Sequence, residues 1–408
     1  MKILFLLTQD LESPSGLGRY LPLAQELVKS GHQVKIAALH SDFRKLSKKI
    51  IHLNGVDVHY VAPMHVKKQE SSKSYYNPLQ LIIITIWSTW ALMKAALSTQ
   101  ADLIHIAKPH PMNSVAGIVA KYTCRKPLFL DCDDYEAGSN RFEKQWQRWI
   151  VAFFEKLTPK HVEMISTNTH FMQDNLISWG VPKEKIVYLP NGIDPDRFPP
   201  PDLDAIENLR KQLNITDQKV VAYIGSISLT NHPIDILLEA FPKVLQRVPG
   251  SILMIVGGGE DLPLLKRIAS KLEIQKHILF IGRVQPEEVY LFYGIADVVV
   301  DPVHDDDAAR GRAPLKLLES WICRVPYVTA DVGDRRKLLG EPLAGILVKP
   351  GDNNLLANEI SDVLSKPQTK DEVRNLGQER AKLYYWKKLA DRLSSKYSEF
   401  LNNDILRR

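Results

Sequence analysis

Arg310, Arg312, Lys316 and Glu319 fall within one short stretch, Arg-Gly-Arg-Ala-Pro-Leu-Lys-Leu-Leu-Glu, centred on Pro314. Proline lacks an N–H and has a φ suited to a first helical turn, so a helix is predicted to begin at or just before it. Spacings of four and three then put Arg312, Lys316 and Glu319 on one face. Cations beside the unpaired N–H groups at the positive end of a helix attract phosphate. Glu319 lies further along that face, and a carboxylate is an acceptor-only group that suits two vicinal hydroxyls. The stretch therefore reads as a seat for a diphosphate with a ribose behind it. A basic helix start with Glu319 in a surface ion pair is the plainer alternative.

Such a seat needs a scaffold, and the flanking pattern supplies one. Lys2–Leu7 is a short apolar run, followed by Ser13-Pro-Ser-Gly-Leu-Gly18, a helical pattern over Tyr20–Ser30 and a second strand over Gln33–Leu39. Strand, glycine loop, helix and strand open a doubly wound α/β domain. Gly16 and Gly18 lack the third glycine of a dinucleotide fingerprint, so they imply only that backbone can approach a ligand closely. Further strands are predicted at Val56–Val61, Leu103–Ala107, Leu128–Asp131, Met164–Ser166 and Ile186–Leu189. In such a sheet the residues just past the strand ends line the ligand crevice, which singles out Lys108, His110, Asp133 and Asp134.

Pro195, Pro199, Pro200 and Pro201 mark the clearest linker, and a second α/β cycle follows. Its predicted strands are Val220–Gly225, Ser251–Val256, Ile278–Ile281, Val298–Val300, Tyr327–Ala330 and Gly345–Val348, with a closing helix over Asp371–Leu401. The expected division is 1–190, 191–380 and a C-terminal helix, 381–408, packing back on the first domain. The fold class is α/β, with two Rossmann-like doubly wound domains facing across a cleft.

Composition narrows the partners. The chain has 408 residues, 45% apolar and 25% charged, with net charge +6. That excess fits anionic substrates or an anionic membrane surface and is too small to argue for nucleic acid. Three cysteines without metal-ligand spacing read as reduced thiols. Leu79–Leu97 is strongly apolar but interrupted by Gln80, Thr85, Ser88, Thr89 and Lys94, so a buried helix is expected. A helix lying on a bilayer surface is the second reading, supported by Trp87, Trp90, Lys67 and Lys68.

Five motifs occur in order: Pro190-Asn-Gly-Ile-Asp194, Ile255-Val-Gly-Gly-Gly259, Phe280-Ile-Gly-Arg283, Ala296-Asp-Val298, and Leu317-Leu-Glu319 through Val325-Pro-Tyr-Val328. In this the chain resembles the two-domain (GT-B) glycosyltransferases, in particular the large retaining family often called family 4. The resemblance implies transfer of a sugar from a nucleoside diphosphate-sugar to an acceptor hydroxyl with retention, in cell-surface polysaccharide or glycolipid synthesis. It implies that Glu319 holds the donor ribose, that backbone of the Arg310–Leu317 stretch binds the diphosphate, and that Gly16 and Gly18 close over the donor. Ser226 and Arg283 join the donor-binding set. No cofactor or metal is expected, and Asp305, Asp306 and Asp307 are expected to pair with Arg310 and Arg312. A glycan or lipid-linked acceptor, a cytoplasmic location and peripheral contact at the inner membrane face complete the expectation.

Three departures stand out. Gly311 occupies the position of a second family glutamate, eight residues before Glu319. Ser226, with Asn231 or His232, replaces the family's arginine and lysine after the strand Val220–Gly225. Arg310, Arg312 and Lys316 are expected to supply the missing positive charge, with Lys316 also placed among the catalytic groups. The His-x-His pattern of many relatives appears as His105 and Ala107, leaving His110 to orient a donor-sugar hydroxyl and Asp134 to bond the acceptor. A phosphorylase or epimerase of the same shape, and a non-catalytic nucleotide-sugar-binding assembly partner, are the alternatives.

Overall fold

Strands buried on both faces must be apolar throughout, and the short runs of this chain assemble accordingly into parallel sheets. The structure is a computed structural model and describes residues 1–69, 72–140, 142, 144–200 and 202–407. The first sheet contains β1 (Lys2–Leu7), β2 (Gln33–His40), β3 (Ile50–Leu53) and β4 (Val56–Pro63). A separate hairpin, β5 (Val66–Gln69) and β6 (Ser72–Tyr75), precedes the sheet's remaining strands, β7 (Leu103–Ala107), β8 (Leu128–Cys132), β9 (Met164–Thr167) and β10 (Ile186–Tyr188). Their order is β10-β9-β8-β7-β1-β2-β4-β3, parallel except for β3 against β4. The second sheet contains β11 (Val220–Ile224), β12 (Ile252–Val256), β13 (Ile278–Gly282), β14 (Val298–Asp301), β15 (Tyr327–Ala330) and β16 (Ile346–Val348). Its order is β13-β12-β11-β14-β15-β16, parallel throughout.

The strand order reverses between β1 and β7 in one sheet and between β11 and β14 in the other. Those two switch points are where crevices open beyond the strand ends. Helices α1 (Leu21–Lys29), α2 (Pro78–Ser98), α3 (Pro111–Cys124), α4 (Glu136–Ser139), α5 (Gln145–Leu157) and α6 (His170–Ser178) belong to the first half. The C-terminal helix Trp386–Arg407 packs on α1, with Trp386, Leu389, Leu393 and Tyr397 in the core beside β1 and β8.

Three predicted elements differ. Residues 16–20 are not an open loop but a π-helical turn, Gly16–Tyr20, running into α1. The long closing helix is two helices, Pro367–Ala381 and Trp386–Arg407. The break is where the chain crosses back: Ile193 N–H donates to Tyr384 O at 2.8 Å, and Trp386 N–H donates to Ile193 O at 3.1 Å. Finally, α2 is not a buried helix. Ile84, Ser88, Ala91, Leu92 and Ala96 face the core, whereas Leu79, Ile83, Ile86 and Trp90 are each more than half exposed.

Candidate active site between the two sheets

On the second-sheet side, β11 is followed by Gly225, whose φ of +149° favours glycine. A Cβ there would come within 2.7 Å of Lys316 Cε, so the lysine stem lies directly against that turn. Lys316 Nζ lies 4.4 Å from the Tyr223 ring centroid and 2.6 Å from Asp301 Oδ1. Asp301, the last residue of β14, also accepts from Tyr327 OH at 2.9 Å and lies 3.5 Å from Arg335. Burial alone would raise the Asp301 carboxyl; Lys316 and Arg335 outweigh it and hold it well below the usual range. Burial lowers the Lys316 ammonium, an effect that Asp301 opposes.

The helix carrying Glu319 spans Leu315–Ile322, with Pro314 as an extended N-cap (φ −75°, ψ 115°) that bonds no helix N–H through its side chain. This corrects the predicted face. Arg312 precedes the helix and cannot share a helical stripe with Lys316 and Glu319. Its guanidinium instead donates to Asn231 O at 2.5 Å and Asn231 Oδ1 at 3.0 Å. Arg312 also does not pair with the aspartates: Arg310 does, with Asp305 at 2.8 Å and Asp307 at 3.6 Å, while Asp306 caps the turn through Ala309 N–H. The exposed Arg310 thus pairs with the acidic side chains of its own turn. The Leu317 side chain is in the core, leaving only its backbone to face a ligand. The N–H groups of Leu315, Lys316 and Leu317 form the first turn above the β11–β14 switch point.

Glu319 accepts a hydrogen bond from the buried Tyr293 hydroxyl at 2.7 Å through Oε2. Burial raises its carboxyl, while Tyr293, Arg197 and Lys316 pull it back down. Ser226 is exposed, and its carbonyl accepts from Tyr223 OH at 2.7 Å. Arg283 is exposed beside the glycine turn, where a Cβ on Gly258 would meet its Cγ at 2.9 Å.

The first-sheet side meets this helix closely. A Cβ on Gly18 would lie 2.6 Å from Leu315 Cδ1, and one on Gly16 would strike the Asp10 carbonyl. Arg19, which the sequence does not single out, is fully buried and chelates Asp131 through Nε and Nη2, both at 2.7 Å. It also donates to Leu189 O, Pro190 O and Asn191 Oδ1 at 3.1, 3.3 and 3.0 Å. Asn191 Nδ2 in turn donates to Ala313 O at 2.9 Å. One polar chain therefore joins β8, the crossover segment and the approach to the Glu319 helix.

Past β7 and β8 lies an acidic cluster. Lys108 has a left-handed φ of +69°, and its Nζ sits 3.0, 2.8 and 2.7 Å from Asp133, Asp134 and Glu136. Burial opposes its charge, but the three carboxylates outweigh burial and hold the ammonium protonated well above lysine's usual range. The three carboxylates are close enough together to hold a metal ion, and the Lys108 ammonium already sits at their point of convergence. Asp134 is the most exposed of the three. His110 pairs with Glu136 at 3.1 Å. His105 is buried away from the cleft against Phe5 and Tyr397, and burial pushes it down to about 4, so it is neutral at neutral pH.

Gly311 faces the first half directly: a Cβ would meet Tyr135 Cβ at 2.9 Å, Asp307 O at 3.2 Å and Phe171 Cδ1 at 3.4 Å. Nearby, Asp334 accepts from His170 N–H and contacts His170 Nδ1, both at 2.8 Å.

Two doubly wound sheets with their switch points brought face to face define the GT-B architecture. Solved structures of the same shape include sucrose-phosphate synthase from Thermosynechococcus elongatus (TM-score 0.78, 19% identity, 98% of this chain and 99% of that one). Another is Anabaena HepE in complex with UDP-glucose (TM-score 0.74, 19% identity, 98% and 100%). Residues 15–197 match the family model described as Glycosyltransferase Family 4, and residues 205–380 match Glycosyl transferases group 1. The chain belongs to the GT-B glycosyltransferases. A GDP-mannose-dependent alpha-(1-6)-phosphatidylinositol monomannoside mannosyltransferase of Mycolicibacterium smegmatis is 31% identical over 189 residues, 46% of this chain. The match spans about half of that relative's length (49%). An uncharacterized glycosyltransferase of Methanocaldococcus jannaschii is 24% identical over 359 residues, 84% of this chain and 83% of its own.

Proposed function

We propose that this chain transfers a glycosyl group from a nucleoside diphosphate-sugar to an acceptor hydroxyl, with retention at the anomeric carbon. The observation that carries the reading is the first turn of the Glu319 helix. It receives no side-chain cap from Pro314, is flanked by Arg312 and Lys316, and is set over the second switch point with Glu319 one turn on. As the anomeric C–O bond breaks, negative charge builds on the departing diphosphate. Preorganised N–H groups and cations there stabilise the transition state more than the ground state. Arg335, buried 3.5 Å from Asp301, offsets that carboxylate so that Lys316 need not do so alone.

On the facing side, Asp134 orients the acceptor hydroxyl and His110 a donor-sugar hydroxyl. The acceptor proton passes to the leaving diphosphate as its charge grows. That route places acceptor and leaving group on one face of the sugar, which is retention. The UDP-glucose bound by HepE and the GDP-mannose dependence of the mycobacterial relative support a nucleotide-sugar donor. No cofactor is part of the proposal, and the protein is placed in the cytoplasm.

Glu319→Ala should lower kcat/KM by roughly 100-fold, mostly through donor KM, since two hydrogen bonds to a charged group are lost. Nucleoside diphosphate release from UDP-, GDP- and ADP-sugars with glycan and lipid acceptors measures it. Turnover unchanged by the substitution, or an inverted product by NMR, would contradict the reading. Tyr293→Phe should weaken donor binding about tenfold with a smaller change in kcat, because Glu319 loses the donor that fixes its rotamer. An unaltered donor KM would remove Tyr293 from that role. The closed space at Gly311 favours a second reading, donor binding without transfer, which predicts nucleotide-sugar affinity with no release for any acceptor.

A further inference from the structure

We propose that the acceptor is an uncharged sugar or polyol: the ring bearing the reacting hydroxyl carries no phosphate or carboxylate. The inference rests on the transfer reading and names the substrate class of its facing side. The ends of β9, β8, β7 and β1 are neighbours in the first sheet, so the residues just past them line one edge. Asp133, Asp134 and Glu136 follow β8, and Lys108 and His110 follow β7. Tyr135 sets this edge against the donor half, because a Cβ on Gly311 would meet its Cβ at 2.9 Å.

Charge differs across the cleft. The donor half gathers Lys316, Arg312 and Arg335 around Asp301, a cationic surplus that suits a diphosphate. The facing edge instead sets three carboxylates around Lys108. Among the described residues, its neighbouring basic groups are engaged. His110 pairs with Glu136 at 3.1 Å, and its ring lies 5.9 Å from that of His65. Arg148 of α5 donates to the Ala137 carbonyl at 3.1 Å, Arg310 pairs with Asp305 and Asp307, and Arg19 holds Asp131. Burial raises Asp133 against the pull of Lys108, and Asp134 adds to the rise. Burial, with Glu136, pushes Glu155 behind the cluster up to about 8, so Glu155 is protonated at neutral pH. An edge that already expels part of its own negative charge repels an incoming phosphate.

Hydrogen bonding points the same way. Asp134, with 28% of its side chain exposed against 4% for Glu136, is the carboxylate a ligand reaches. Asn168, 2% exposed just past β9, leaves Oδ1 without a hydrogen-bond partner, and Gln9, past β1, leaves its buried Nε2 without one. A hydroxyl both donates and accepts, so it can serve a carboxylate, an amide oxygen or an amide N–H. Phosphate oxygens accept only, and here they would meet carboxylates that also only accept.

Saturation-transfer NMR of the full chain, run without donor, tests the class directly. It compares methyl α-glycosides of glucose, galactose and mannose with the matching 6-phosphates and uronic acids, with and without magnesium. Signals are expected from at least one neutral glycoside and not from its charged partners. Nucleoside diphosphate release from UDP-, GDP- and ADP-sugars then reads the same pairs. There kcat/KM should be at least about 100-fold higher for the neutral member. Asp134→Lys should shrink the preference at least about tenfold and Asp134→Asn by less, with circular dichroism unchanged. A phosphorylated or uronic acceptor bound or used as well as its neutral partner would overturn the proposal, with magnesium or without. So would silence from every neutral glycoside, or a preference that Asp134→Lys leaves intact. Neutral glycosides that bind alone but release no nucleotide would uphold the ligand class and strike the transfer reading, so the two fail separately.

Discussion

Arg19→Ala is expected to destabilise the chain by about 3–5 kcal/mol, the range for breaking a buried ion pair from one side. The guanidinium and the Asp131 carboxylate are each about 1% exposed. Burial disfavours the charge on both, and their mutual contact more than restores it, so Arg19 is raised and Asp131 lowered. Alanine would leave Asp131 with Tyr20 OH at 3.1 Å and Ser166 Oγ at 2.5 Å but no countercharge, and would orphan the carbonyls of Leu189 and Pro190. The double variant Arg19→Met with Asp131→Leu should cost less than Arg19→Ala alone, because no charge is stranded. Urea denaturation followed by tryptophan fluorescence measures both. A loss within about 0.5 kcal/mol for Arg19→Ala would place the pair among ordinary surface contacts.

Gly311→Glu, which would restore a carboxylate common in the family, is expected to reduce activity at least about tenfold rather than improve it, because overpacking costs about 1–3 kcal/mol and moves its neighbours. The glycine has an ordinary φ of −79°, so the backbone does not forbid a side chain. Space does. Tyr135, at the start of α4, and Phe171, in α6, stand 5.9 Å apart as an edge-to-face pair and close the site from the first half of the chain. A glutamate would force the two halves apart at the contact between α4 and Asp307–Arg310. Adding Tyr135→Ala should recover part of the loss. Higher activity in Gly311→Glu alone would show that the space opens readily and that Tyr135 is not its wall.

Local pattern and long-range contact divide what the sequence discloses. The strands of both sheets other than the half-exposed β3 are legible because burial on both faces demands continuous apolar runs, and the ends of β7 and β8 single out Lys108, His110, Asp133 and Asp134. The helix bearing Lys316 and Glu319 is legible from Pro314. Its first residue is not, since Pro314 serves as N-cap, and that shift takes Arg312 off the stripe. Arg19 is invisible because its partners lie 112 and 172 residues away. Asp301 and Arg335 are missed as well, since their ion pairs with Lys316 and with each other join separate elements of the second sheet. Nothing local in the helical run marks the break at Tyr385, which exists because Ile193 pairs with it from nearly two hundred residues earlier. The exposed face of α2 escapes too, since an apolar sequence does not record which side a neighbour covers.

Calorimetric titration of the purified chain with UDP-, GDP- and ADP-sugars, alongside Glu319→Ala, tests the proposed donor seat most directly. The account predicts saturable binding of one nucleotide series, abolished or weakened roughly 100-fold by the substitution because the ribose hydroxyls lose their charged acceptor. Binding of none of the three, or binding that Glu319→Ala leaves intact, would contradict it.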